Sequence, residues 1–176
     1  MTAVLVPPSL DLVCPPTSWL MLSYHVPRSP SAPYMTAYRR LKSLRALSLN
    51  VGLAALPDTP WAELDLRAAA AQINAIPGAT ASLLRVSALD GADHLIDSYN
   101  ADRNAEYDAV IAECGAFLTV KAPATKDALK VRRQLAKTSQ RLDSIRDRDQ
   151  FGASRQAAAS RALAQCRSAL LSVLLR

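Results

Sequence analysis

The chain has 176 residues, half of them apolar and only 5% aromatic, with a formal net charge of +6. That length suits one domain with some appended helix and an ordinary buried core, and it excludes two full-sized domains. Alanine and leucine supply most of the apolar mass, which leans toward helix because both lose little side-chain freedom there.

Residues 1–17 are Pro-rich and unpatterned and are expected to be a disordered leader; they lack the basic start and unbroken apolar helix of a signal peptide. The other apolar runs are interrupted by charge well short of the ~18–20 residues that span a bilayer, so no membrane partner is expected. Cys14, Cys114 and Cys166 are odd in number and far apart. They suggest neither a disulfide framework nor a zinc site, and the cytoplasm is the expected compartment.

Trp19 to Pro27 is a continuous apolar run closed by proline, as in a central strand buried on both faces. A helix is expected from Ser31-Ala32-Pro33, with Tyr34, Tyr38, Leu41 and Arg45 on one side. Leu47–Val51 and Leu53–Pro57, parted by Gly52, read as two short strands or one bent strand. Asp58-Thr59-Pro60 is a cap sequence ahead of a helix ending at Pro77-Gly78. Residues 79–89 form another strand-like run.

From Asp90 the period turns helical, with Tyr99, Tyr107, Val110 and Cys114 on one stripe up to a break near Pro123. Leu129, Leu135, Leu142 and Ile145 recur at helical spacing after it, and Leu163, Cys166, Leu170 and Leu174 do so beyond Gly152. The expected architecture is α+β: a ferredoxin-like βαββαβ core over residues 18–115, with a carboxy-terminal helical hairpin over 124–176 packed on it.

Charge is unevenly placed. From Asp58 to Glu113 there are ten acids against three bases, whereas from Lys126 to Arg155 there are nine bases against four acids. Arg39, Arg40, Lys42 and Arg45 put four cations in seven residues with no acid among them, as phosphate contact would use. Lys126, Lys130, Arg132, Arg133, Lys137 and Arg141 form a second basic set. Each set also fits a solvated helix face.

Arg146 and Arg148 alternate with Asp147 and Asp149. The arginines could hold an oxyanion such as chromate or sulfate. The favoured alternative has Asp147 and Asp149 pairing with the neighbouring arginines to close the helix. His25 and His94 have no ligand-spaced partners, and Asp90, Asp93 and Asp97 complement a helix start more readily than they bind metal. No catalytic triad order, glycine-rich phosphate loop or HExxH is present, so neither enzymatic activity nor a cofactor is expected.

Three stretches also occur together in a recognisable order. They are Trp19–Pro27 followed by the basic Tyr38–Leu47; Ala55–Pro60 with Asn100–Tyr107; and Leu142–Ala153, ending in Gln150-Phe151-Gly152-Ala153. Over residues 18 to 172 they resemble the amino-terminal domain of the ChrB family of chromate-resistance proteins. The resemblance implies a bacterial DNA-binding transcriptional regulator of a chromate efflux operon, here without the separate carboxy-terminal sensing domain of longer members. The first half is also similar to ferredoxin-like modules of PaaX-type repressors and CRISPR spacer-acquisition nucleases. Those nucleases carry an acid on the first strand, and Trp19–Pro27 has none. The alternative expectation is an adaptor that does not bind DNA and forms a homodimer through its hairpin.

Overall fold

The computed structural model describes residues 18–119 and 128–174, and side chains within helices for 18–118 and 131–172. The expected leader, Lys126 and the break near Pro123 therefore lie outside the described residues. The chain divides into two compact units, Met1–Asp90 and Gly91–Arg176.

The first unit is a mixed α/β arrangement with strands β1 (Ser18–His25), β2 (Leu47–Asn50), β3 (Leu53–Pro57) and β4 (Thr80–Ser87), and helices α1 (Ser31–Ser43) and α2 (Pro60–Asn74). Every pairing is antiparallel and the sheet order is β2-β3-β1-β4. The apolar run at β1 thus occupies an interior position. Its consecutive Trp19 and Leu20 point to opposite faces and both are buried, as expected for such a strand.

Gly52 makes the tight turn between β2 and β3 at φ +81°, where a Cβ would lie 2.5 Å from the Tyr24 carbonyl oxygen. The Tyr24 amide donates to the Gly52 carbonyl at 2.7 Å, so this turn is fastened to β1 by a backbone approach that only glycine allows. Thr59 caps α2, its hydroxyl accepting from the Ala62 amide at 3.1 Å ahead of Pro60. Asn74 closes the same helix onto β4 by exchanging two hydrogen bonds with the Ala81 backbone.

The start of α2 is also tied to the sheet by charge. Asp58 accepts from the Ser18 hydroxyl at 2.8 Å and pairs with Arg85 of β4 at 2.7 Å, while Arg85 reaches Glu63 at 2.6 Å. The Ser18 hydroxyl, with Arg85 beside it, holds the Asp58 carboxyl below its ordinary range.

The second unit contains α3 (Ala92–Thr119), α4 (Ala128–Arg148) and α5 (Gln156–Leu174). Its core joins Tyr107, Val110 and Cys114 of α3 to Leu135, Leu142 and Ile145 of α4 and Leu163, Cys166 and Leu170 of α5. Burying each leucine contributes roughly 1.5–3 kcal/mol. This part of the chain is therefore a three-helix unit, where the sequence suggests a two-helix hairpin added to a domain reaching residue 115. The physical reason is that the Tyr107, Val110 and Cys114 stripe needs an apolar partner and finds it on α4 and α5. The turn between α4 and α5 passes through Gly152 at φ +69°.

Candidate functional site

In the first unit Arg39 and Lys42 are exposed on α1, with the Lys42 ammonium 5.8 Å from the Tyr38 ring centroid. Arg40 is partly consumed by an ion pair to Asp65 of α2 at 3.3 Å. Arg45 does not share the helix face with Tyr34, Tyr38 and Leu41. It lies past the end of α1 in the left-handed region at φ 57°, where the Ala46 amide reaches back to the Leu41 carbonyl at 3.4 Å. That is the geometry of a helix-terminating turn, and it redirects the Arg45 side chain. Arg28, not singled out by the sequence, stands 5.7 Å from the Tyr34 ring centroid.

Helix α4 presents its cations on three sides. Toward α3, Arg141 pairs with Glu113, and Arg148 approaches Glu106 at 3.4 Å while donating to the Ser144 hydroxyl at 2.9 Å. Toward α5, Arg146 donates to the Ser160 hydroxyl at 2.6 Å, with a long contact to Asp143 at 3.5 Å. Arg132, Arg133 and Lys137 are exposed and make no ion pair among the described residues. Lys130 falls in the first turn of α4, and its side chain is outside the described residues.

Arg146 and Arg148 are thus not brought together as one oxyanion fork. Two residues apart on a helix, they diverge, one toward Ser160 and the other toward Glu106. The expected closure by Asp147 and Asp149 also takes another form. Asp149 accepts from the Tyr107 hydroxyl at 2.9 Å and from the Ala153 amide at 2.9 Å, so it bridges α3 to the turn before α5.

Around that bridge is a buried polar cluster. The Arg103 side chain is only 2% exposed; its Nε lies 3.0 Å from Glu106 Oε2 and its guanidinium 4.7 Å from the Tyr99 ring centroid. Glu106 therefore sits between the guanidinium groups of Arg103 and Arg148. The Tyr99 hydroxyl donates to the Arg148 carbonyl at 2.7 Å, and its ring meets Phe151 edge-on at 5.7 Å. Burial pushes both phenols up; the hydrogen bond to Asp149 adds to the rise at Tyr107, while Arg103 opposes it at Tyr99. Sequence reasoning missed Arg103 because an arginine amid acids looks like a surface partner; only its two aromatic neighbours at helical spacing hint at burial.

Cys114 and Cys166 are buried, and the Cys166 thiol donates to the Cys114 carbonyl at 3.3 Å. Burial raises both thiols, Cys166 to about 12, so they fill the core as neutral groups. His25 and His94 are exposed. Among the described residues no group of His, Cys, Asp or Glu could hold a metal, and no helix is long and apolar enough to cross a membrane.

These features define a class: an α/β protein whose antiparallel-sheet unit precedes a three-helix unit with cations outside and a buried arginine–carboxylate–tyrosine cluster within. The family model described as "Protein ChrB, N-terminal" matches residues 34–173. The chain belongs to that ChrB amino-terminal family, which links it to chromate resistance. No curated protein and no solved structure matches it significantly.

Proposed function

We propose that the protein is a cytoplasmic DNA-binding regulator of chromate resistance that acts by binding rather than catalysis. A single observation carries the proposal: α4 exposes Arg132, Arg133 and Lys137 without carboxylate partners among the described residues, whereas its neighbours Arg141 and Arg148 are held by acids of α3. Uncompensated cations on one helix are what phosphate contact requires, because affinity comes from counterion release. Arg39 and Lys42 of α1 offer a second, smaller set. A ferredoxin-like description of the first unit is supported by its βαββαβ order and by the sheet sequence β4-β1-β3-β2 when read from the β4 edge.

Anisotropy titration of a labelled duplex from upstream of its own operon, at several salt concentrations, tests this. The log of affinity should fall linearly with log salt, and neutralising Arg132, Arg133 and Lys137 together should reduce the slope by about 2.7. No measurable binding at about 50 mM salt would refute it.

A second role, as a protein adaptor, draws on a different surface from the hairpin. Leu142, Leu163 and Leu170 are buried within the three-helix unit, whereas Trp61 and Leu64 of α2 are 78% and 61% exposed, an apolar pair suited to a protein partner.

A further inference from the structure

Four arginines of the second unit meet a carboxylate: Arg103 and Arg148 meet Glu106, Arg141 meets Glu113, and Arg155 meets Asp108 at 2.6 Å. Two others donate instead to serine hydroxyls across the seam between α4 and α5. Arg167 of α5 donates to the Ser139 hydroxyl of α4 at 2.7 Å, and Arg146 of α4 donates to the Ser160 hydroxyl of α5 at 2.6 Å. The two contacts share one antiparallel register, because Ser139 and Arg146 are seven residues apart on α4, as Ser160 and Arg167 are on α5. Seven residues are two helical turns, so the guanidinium groups cross the seam about 10.5 Å apart, in opposite directions. Arg132, seven residues before Ser139, continues the same side of α4.

A hydroxyl fixes a guanidinium in place without cancelling its charge. Asp143 is the one acid that pairs with Arg146 among the described residues; at 3.5 Å, and itself 61% exposed, it is a weak counterweight. Arg167 forms no ion pair among the described residues. Each guanidinium spends one donor on a serine and keeps others for a ligand, in an orientation already restricted before binding.

We infer that the α4–α5 seam is a prearranged site for tetrahedral oxyanions, in which Arg146 and Arg167, steadied by Ser160 and Ser139, grip phosphodiester oxygens of a nucleic acid. The inference rests on the DNA-binding proposal above and deepens it. It adds Arg167, one of the two cations of α5, and gives the serines a positioning role. Ser139 and Ser160 carry no charge, so they act on the geometry of the bound state and not on the number of counterions released.

The test uses the full chain and compares Arg146→Gln, Arg167→Gln, the double variant Ser139→Ala/Ser160→Ala, and Arg155→Gln as a same-charge control at a cation already tied to Asp108. Circular dichroism and thermal melts establish that each variant folds. In duplex titrations each seam arginine variant should lower the salt slope by about 0.9 and the affinity at low salt about tenfold. The serine variant should keep the parental slope and bind about threefold more weakly. Arg155→Gln should stay close to the parent. If the parent binds duplex but the seam arginine variants behave like Arg155→Gln, the inference is overturned while DNA binding stands. If the parent binds no duplex, the proposed function fails, and the seam is judged with inorganic phosphate and sulfate by the arginine Hε resonances. Shifts lost in Arg146→Gln and Arg167→Gln support a free-oxyanion site, and their absence in the parent overturns the inference.

Discussion

Replacing Asp149 with alanine removes the acceptor of the Tyr107 hydroxyl and of the Ala153 amide, bonded at 2.9 Å each. Hydrogen bonds to a charged partner contribute roughly 1.5–3 kcal/mol, and Tyr107 is fully buried, so its hydroxyl would be stranded without water. The expected loss is about 3–5 kcal/mol. At roughly 2–4 °C per kcal/mol for a chain of this size, the melting temperature should fall by about 6–20 °C. Tyr107→Phe removes one of the two bonds and leaves the carboxylate with the Ala153 amide, so it should cost about 1.5–2 kcal/mol. In the double variant the shared bond is counted once, giving a coupling of about 1.5–2 kcal/mol in a denaturant-melt cycle. A pH series adds a second readout. The Tyr107 phenol is raised by burial and by Asp149, so its stabilisation is complete below the unfolded value near 10 and is lost as pH climbs through the folded one. Parent protein should therefore lose more stability than Tyr107→Phe between pH 9 and 11. Additive single variants, with coupling below about 0.3 kcal/mol, would refute the claim that this bond fastens α3 to the α4–α5 turn.

Leu142→Asp places a charge where the side chain is 1% exposed and should cost several kcal/mol in a thermal melt, whereas Trp61→Ser, at 78% exposure, should stay within about 0.5 kcal/mol of the parent. In a Cys14→Ser background, Cys114 and Cys166 should resist an aromatic disulfide reagent at pH 8 and react once denaturant is added, because burial keeps both thiols protonated. Arg85→Met should lower the melting temperature at pH 7. The Asp58 and Glu63 carboxyls are held low, Asp58 first by Ser18 and Glu63 first by Arg67, with Arg85 contributing to both. That stabilisation is present above the unfolded values of about 4 and disappears as pH falls through the lower folded ones, so the penalty of Arg85→Met should shrink as the solution is acidified through that range.

Local signals in the chain were strong wherever a residue type has one structural use. Thr59-Pro60 caps α2, Gly52 turns β2 into β3, and Gly152 ends the run through α4, each where the sequence suggests. Apolar spacing likewise located the faces of α4 and α5. It did not say what covers them, because a stripe specifies only that it must be buried, and α3 joined the pair through Val110 and Cys114. The site was harder still. Arg132, Arg133 and Lys137 differ from Arg141 and Arg148 only in what lies across the helix, and Glu113 and Glu106 are more than twenty residues away along the chain. Arg167 gave no signal at all, having neither a cluster of like charge nor a motif around it.

The stretches Asn100–Tyr107 and Leu142–Ala153, which carry much of the likeness to ChrB, meet at Tyr107, Glu106, Arg148 and Asp149. Part of the likeness thus lies in interior joinery, whereas Arg132, Arg133 and Lys137 stand on the outside, where a substitution disturbs little. Lineages sharing the joinery are free to gain or lose a ligand through a handful of surface changes.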